Sequence, residues 1–308
     1  MRRRTGFPSF EDKGSPGFIL LSVLLVSLFM MSAAVGFSWF VRDQLRSLER
    51  RRVELESRNI AFMAVRNVVR GLAMDTSSYD SKHEKWFGTH LIPLGNRYLL
   101  SVTVSPLNDK LPLRAIFLPD GMTVRGEMKE PWELLWEAVG HPKMALPALD
   151  FMDSDKNPRV GGIENDFFVN HVPGDPGAFT LFPEIPPSAV TGTKDRPGLR
   201  EYLTLWCGQK VNVNTASAQV LALLDGIDDV VAQEIVERRT ETPFTKLSEV
   251  AELPAFSGSL GPRLTNSLGT TSDYFLVILQ VSALGGEGNN RSYRVVVTKE
   301  TIQSWEEQ

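Results

Sequence analysis

Asp153 and Asp155 alternate within Leu149-Asp-Phe-Met-Asp-Ser-Asp-Lys-Asn-Pro-Arg-Val-Gly-Gly-Ile-Glu-Asn-Asp166, and Glu164 and Asp166 follow after a Pro/Gly bend. Carboxylates at this spacing, with carbonyls from a bent loop, can supply the about six to eight oxygens that calcium takes. The twelve-residue EF-hand spacing is missing, and the same residues also read as a solvated acidic turn. Other chemistry is thinly represented. His83, His90, His141 and His171 are scattered without a zinc-binding spacing, no Gly-x-Ser-x-Gly elbow occurs, and the one cysteine, Cys207, has no histidine near it in sequence. A cysteine between Trp206 and Gly208 reads as core. The expectation is a protein without catalytic residues.

A second motif runs from Lys210-Val-Asn-Val-Asn-Thr-Ala-Ser-Ala-Gln-Val-Leu-Ala-Leu-Leu-Asp-Gly-Ile227 through Asp228 to Arg239 and on to Pro243-Phe-Thr-Lys-Leu-Ser-Glu-Val-Ala-Glu-Leu-Pro254. Asn214 or Thr215 can cap a first helix and Gly226 can end it. Val230, Val231, Ile235 and Val236 would face inward from a second helix, and Thr245 would cap a third after Phe244 enters the core. This is a helix-hairpin-helix layout. In a DNA-binding hairpin, backbone N–H groups of a Gly-x-Gly turn meet phosphate with Lys or Arg behind them. Here the turn is Asp225-Gly-Ile-Asp-Asp229, whose three carboxylates repel an anion. A structural or protein-contact role is expected, and no nucleic-acid partner.

These motifs must be carried by the rest of the chain. Phe18 to Val41 has no charged residue, and its polar side chains are serines. At about 1.5 Å per residue this run, as a helix, crosses a hydrocarbon core of about 30 Å. Apolar residues recur at helical spacing from Leu45 to Leu72, which continues the helix through 42–74. The segments 97–105 and 110–117 alternate as strands of an antiparallel meander, with Asn108-Asp109 in the turn. The segments 274–283 and 291–298 form a second pair around Gly285-Gly-Glu-Gly-Asn-Asn290. Strands at both ends with helices between predict an α+β head whose sheet is interrupted by a large insertion.

Charge limits the partners. The net charge is −4 over 308 residues; Met1–Gly17 carries four positive and two negative side chains, so its removal leaves −6. That balance argues against sequence-independent nucleic-acid binding.

The segment before the apolar run is short and polar and ends in Ser15-Pro16-Gly17, followed by Phe18. It resembles the leader of type IV pilins and pseudopilins, which prepilin peptidase cuts after a glycine on the cytoplasmic face. The resemblance implies cleavage between Gly17 and Phe18, methylation of Phe18 and a cytoplasmic N-terminus. Most pilins carry a glutamate at the fifth mature position, where this chain has Ser22. Among type II secretion pseudopilins, the K subunit is the one that usually lacks it.

Leader and span, Asp-rich loop, Asn-Val-Asn-Thr-Ala hairpin and terminal strands together resemble the general secretion pathway protein K family, the largest minor pseudopilin of type II secretion. The family often has an Asn-rich strand where this chain reads Lys110-Leu-Pro-Leu-Arg-Ala-Ile-Phe117. The resemblance implies a pilin-like fold: leader 1–17, transmembrane and assembly helix 18–41, its periplasmic continuation 42–74, first part of the sheet 75–124, inserted helical domain 125–265, and second part of the sheet 266–308. It implies a non-enzymatic subunit at the tip of a periplasmic pseudopilus, anchored once in the inner membrane with its C-terminal domain in the periplasm. Its partners would be minor pseudopilins of the I and J type and through them the major pseudopilin, prepilin peptidase, and the inner-membrane assembly platform. It also implies calcium at the loop, with Asp153, Asp155, Glu164 and Asp166 as ligands, and an assembly role for Ser22. The alternative is a membrane-anchored DNA-uptake protein using the hairpin, or a minor pilin of a type IV pilus.

Overall fold

The computed structural model describes residues 16–166, 168–284 and 290–308. The leader up to Ser15 and the turn at 285–289 lie outside the described residues. The chain divides into two units, 1–57 and 58–308.

Helix α1, Pro16–Met74, is continuous because no proline follows Pro16 in its apolar and then Arg/Glu-rich run, and the isolated Gly36 and Gly71 do not break it. The first unit holds its apolar part, whose side chains, Phe18, Leu20, Phe29 and Trp39 among them, are exposed. Gly17–Met74 is long and apolar enough, by length and composition, to cross a membrane. Ser22, Ser32 and Ser38 return their hydroxyls to the backbone: Ser22 Oγ donates to Phe18 O at 2.8 Å and Ser38 Oγ to Ala34 O at 2.9 Å.

The second unit begins with the last turns of α1. Strands β1 (Gly88–Leu94) and β2 (Tyr98–Pro106) follow, then two short strands, β3 (Leu111–Pro112) and β4 (Leu203–Thr204). Next come β5 (Val211–Asn212), β6 (Leu268–Gly269), β7 (Phe275–Ala283), β8 (Asn290–Val297) and β9 (Ile302–Glu307). The main sheet is antiparallel in the order β1-β2-β7-β8-β9, while β3 pairs with β4 and β5 with β6. Residues 107–274 therefore lie between two strands that are neighbours in the sheet. Helices of this excursion are α2 (Lys129–Ala138), α3 (Ala145–Met152), α4 (Pro187–Thr191), α5 (Leu199–Tyr202), α6 (Ala218–Leu221), α7 (Asp229–Glu241), α8 (Leu247–Ala251) and α9 (Pro262–Ser267).

The unit contains two apolar cores. In the sheet, alternation places Leu100, Val102 and Val104 opposite Val281, Leu279 and Val277, all buried on one face. Ala61, Val65 and Leu72 of α1 are buried at helical spacing, and Phe62 lies 6.2 Å from Trp305 of β9. The second core belongs to the excursion: Trp132, Trp136, Phe151, Phe179 and Phe182 form a continuous aromatic cluster, joined by Leu221, Ile235 and Phe244 of the hairpin.

The α+β class and helical insertion stand as read, but one strand assignment does not. Lys110–Phe117 is not a sheet strand: Leu111–Pro112 pairs with Leu203–Thr204, Leu113–Ala115 is a 3-10 turn, and Leu111, Leu113 and Ile116 are buried in the insertion core. Pro112 lacks the N–H that a central strand requires. The partner of β2 instead comes earlier, at Gly88–Leu94, a strand not expected from the sequence. As an edge strand it tolerates Pro93 and is largely exposed, so it shows no alternation.

Phe179 is wholly buried and its ring centroid lies 5.5 Å from that of Trp136 in an edge-on contact. Phe179→Ala is expected to destabilise the head by about 3–5 kcal/mol, read from the urea midpoint of the full chain in detergent.

Candidate functional site

The hairpin is built by caps and one buried amide pair. Ser217 caps α6, accepting from Val220 N at 3.2 Å, and Asp228 caps α7, accepting from Val231 N at 2.8 Å. Gly226 turns the chain between them at φ +81. Asn214 and Thr215, expected as caps, are buried instead. Asn214 Nδ2 donates to Phe244 O at 2.9 Å and its Oδ1 accepts from Phe244 N at 2.8 Å, which fastens the segment leading into the hairpin to the segment leading out. Ile235 is buried, Val231 and Val236 are half-buried, and Val230 points to solvent rather than inward. Thr245 is not the N-cap of the third helix, which is Lys246; its N–H donates to Glu249 Oε2 at 2.9 Å and its Oγ1 to the same carboxylate.

The cations of this unit serve structure. Arg239 is buried and donates to Val213 O; Arg238 lies 5.8 Å over the Phe244 ring and donates to Thr242 O at 3.0 Å. Asp225 faces Arg263 at 3.5 Å.

Where the excursion leaves and rejoins the sheet, side-chain amides close the junction. Asn108 Oδ1 accepts from Asp273 N at 3.0 Å, Asn108 Nδ2 donates to Lys210 O at 3.2 Å, and Asn108 O accepts from Asn212 N at 2.7 Å. Asn212 Nδ2 donates to Asp80 O and Ser272 Oγ, both at 2.9 Å, while its Oδ1 accepts from Asn214 N at 2.9 Å. Asp80 is fully buried; it accepts from Ser272 N at 2.6 Å and from Lys299 Nζ at 3.1 Å. Burial pushes its carboxyl up, against those two partners. The Asn-Val-Asn-Thr motif is thus a junction between insertion and sheet.

The Asp-rich loop follows α3. Arg159 Nη1 donates to Asp150 Oδ1 at 2.7 Å and also to Asp153, and Arg159 Nη2 donates to Met122 O at 2.5 Å. Burial pushes the Asp153 carboxyl up to about 6, against the pull of Arg159. Asp155 Oδ1 accepts from Asn157 N at 2.7 Å, and Asp155 O accepts from Asn170 Nδ2 at 2.8 Å. Glu164, Asp166, Asn165, Lys156, Phe168 and Asn170 line a cleft of about 350 Å³. Three oxygens here, Asp153 Oδ1, Glu164 Oε2 and Asn170 Oδ1, are buried without a hydrogen-bond donor. Acceptors left this way lack the partner that buried polar atoms ordinarily have, and a hard cation would supply one. The donor types are those that calcium takes, although no three of these carboxylates bring ligand atoms within 4.8 Å of one another. Asp150, Arg159 and Asn170 were not among the sequence candidates. Asp150 and Arg159 lie in the same segment and could have been found by pairing its charges, whereas Asn170 had no signal. Among the described residues, ligand atoms closer than 4.8 Å to one another occur instead at Asp75, Asp80 and Glu84. Those carboxylates already accept from Ser77, Ser81 N and Ser272 N, with Lys299 beside Asp80.

Gly17 and Phe18 lie in α1, and no atom outside their own turn comes within 4 Å of a Cβ built on Gly17. Burial pushes the Cys207 thiol far up, and its Sγ lies 3.5 Å from Lys210 O, so no thiolate nucleophile is available there.

Asn214→Ala strands the buried N–H and carbonyl of Phe244. It is expected to cost about 2–3 kcal/mol in urea unfolding, with an unchanged denaturant slope.

No curated protein matches the chain in sequence. Residues 211–271 match the family model described as type II secretion system protein K. The fold is similar to that of a chain in the crystal structure of the GspK-GspI-GspJ complex from the enterotoxigenic Escherichia coli type 2 secretion system. The TM-score is 0.56 at 12% identity, over 87% of this chain and 99% of that one. The matched residues begin at the junction strand β5, run through the hairpin and end at the return to the sheet. The resemblance to the protein K family of type II secretion is thus supported in sequence over residues 211–271, and the fold is that of a chain of the type 2 secretion complex.

Proposed function

We propose that this protein is a non-enzymatic minor pseudopilin at the tip of the periplasmic pseudopilus of type II secretion, supporting pseudopilus assembly and protein export across the outer membrane. The observation that carries this reading is the excursion 107–274, inserted between neighbouring strands with a core of its own. A fibre made of repeated subunits leaves little room for such bulk on each head, so the subunit suits an end. Ser22 points the same way: its hydroxyl is committed to Phe18 O, and it offers no carboxylate to the N-terminus of a neighbour. The implied arrangement is a single inner-membrane span with the N-terminus cytoplasmic and the head periplasmic. Prepilin peptidase would remove Met1–Gly17 and leave a methylated Phe18. Partners are the I- and J-type minor pseudopilins, through them the major pseudopilin, and the inner-membrane assembly platform.

Mass spectrometry of the chain from its host tests the processing step. A mature N-terminus at Phe18 is expected, and recovery only with Met1 attached contradicts the reading. Co-purification from the host membrane with two smaller pilin-like chains is expected as well.

Calcium belongs to the same proposal, bound at the Asp-rich loop by Asp153, Asp155, Glu164 and Asp166 with Asn170 beside them. Bound there, it would neutralise the clustered carboxylates and tie the loop to α3. Calcium at 100 times its dissociation constant is expected to stabilise the head by about 2.7 kcal/mol, which appears as a higher melting temperature. Glu164→Gln should abolish most of that gain, whereas magnesium should not reproduce it. An identical melting temperature with calcium and with chelator would rule the site out.

A further inference from the structure

The turns of α1 that leave the apolar run carry arginines at regular spacing. Arg42, Arg46 and Arg50 recur every fourth residue and so stack on one side of the helix, with Arg51 beside them. All four side chains are exposed, and among the described residues none of the four forms an ion pair. Asp43 and Glu49 are the acidic residues within this stretch. Like charges at this spacing repel one another along a helix unless an anion lies against them.

Their position says which anion. Trp39 and Phe40, 71% and 59% exposed, lie just before Arg42, with Val41 between. Aromatic rings of this kind sit at the level of lipid headgroups. From Arg42 to Arg51 the helix rises about 13 Å. The headgroup layer is about 5–8 Å deep on each side of the hydrocarbon, and charges beyond it are felt for about 8 Å at physiological salt. Both lengths together match the arginine stretch. Guanidinium forks also pair well with phosphate.

We infer that Arg42, Arg46, Arg50 and Arg51 form a collar that binds the phosphates of anionic phospholipids where the helix leaves the membrane. The inference rests on the reading of Phe18–Val41 as a membrane span, but not on the tip position or on any partner. The collar holds the subunit at an anionic surface and sets a salt-dependent barrier to its extraction from the bilayer. Each arginine beside such a surface multiplies the association constant by about five.

The test uses the full chain alone, reconstituted in phosphatidylcholine vesicles doped with phosphatidylglycerol. Restriction of spin-labelled lipid at the protein surface is compared for the two headgroups. A preference of about five-fold or more for phosphatidylglycerol is expected. Replacing the four arginines (Arg42→Gln, Arg46→Gln, Arg50→Gln, Arg51→Gln) should remove it, and so should about 1 M salt, where screening acts within about 3 Å. The head should melt unchanged in this variant. Equal restriction of both lipids by the unsubstituted chain overturns the inference, as does a preference that survives the four substitutions. Loss of the preference on adding inorganic phosphate alone would reassign the collar to free phosphate. If the substitutions abolish capture of an acidic partner helix but no lipid preference ever existed, the collar is a protein contact and the inference also fails. A chain that does not float with the vesicles overturns the collar and the span together; one that floats without preference overturns the collar only.

Discussion

The Asn108 and Asn212 side chains hold together two bodies that would otherwise have separate cores. Between β2 and β7 the chain departs for residues 107–274, and nothing in strand pairing alone obliges the insertion to return in a fixed orientation. The obligation comes from buried amides. Asn108 accepts from the backbone of Asp273, the residue at which the chain re-enters the sheet, and Asn212 reaches both Asp80 and Ser272. Asn108, Asn212, Asp80 and Ser272 are nearly or fully buried, so a lost partner leaves an unsatisfied polar atom at about 1–3 kcal/mol. Lys299, from the turn between β8 and β9, completes the junction by neutralising Asp80. Sheet, helix end and insertion are locked by polar contacts because their apolar cores do not merge.

That lock gives the insertion its functional weight. The insertion is fixed at both of its ends through Asn108 and Asn212. The hairpin is reused accordingly. Its arginines are spent on Val213 O and the Phe244 ring, and Asp228 is spent as a helix cap, so the elements that elsewhere would meet phosphate are consumed in holding the fold. The Asp-rich loop shows the opposite condition: Asp153, Glu164 and Asn170 keep buried oxygens with no donor.

Much of this was legible in the sequence where a pattern is local. The uncharged run gave the helix, strict alternation gave β2 and β7, and the hairpin block stood out by its turn at Gly226, though not by its caps. Legibility failed where context overrides pattern. Lys110–Phe117 alternates like a strand, yet Leu111, Leu113 and Ile116 are drawn into the helical core. The edge strands β1 and β9 face solvent over much of their length and carry no alternation to detect. Asn214 looks like a cap in one dimension and is a tertiary clamp in three, because its partner Phe244 lies thirty residues away. The Asp150–Arg159 pair was hidden for a related reason: the loop was read for what a cation needs, and the guanidinium that shares its carboxylates was passed over.

Native-state hydrogen exchange on the full chain tests the lock most directly. If the amide junction couples the two cores, the protected amides of the sheet, such as Val277, and of the insertion, such as Val220, will open with the same free energy, and Asn212→Ala will lower both together. Exchange of the insertion through its own lower-energy opening, with the sheet still protected, would contradict the account.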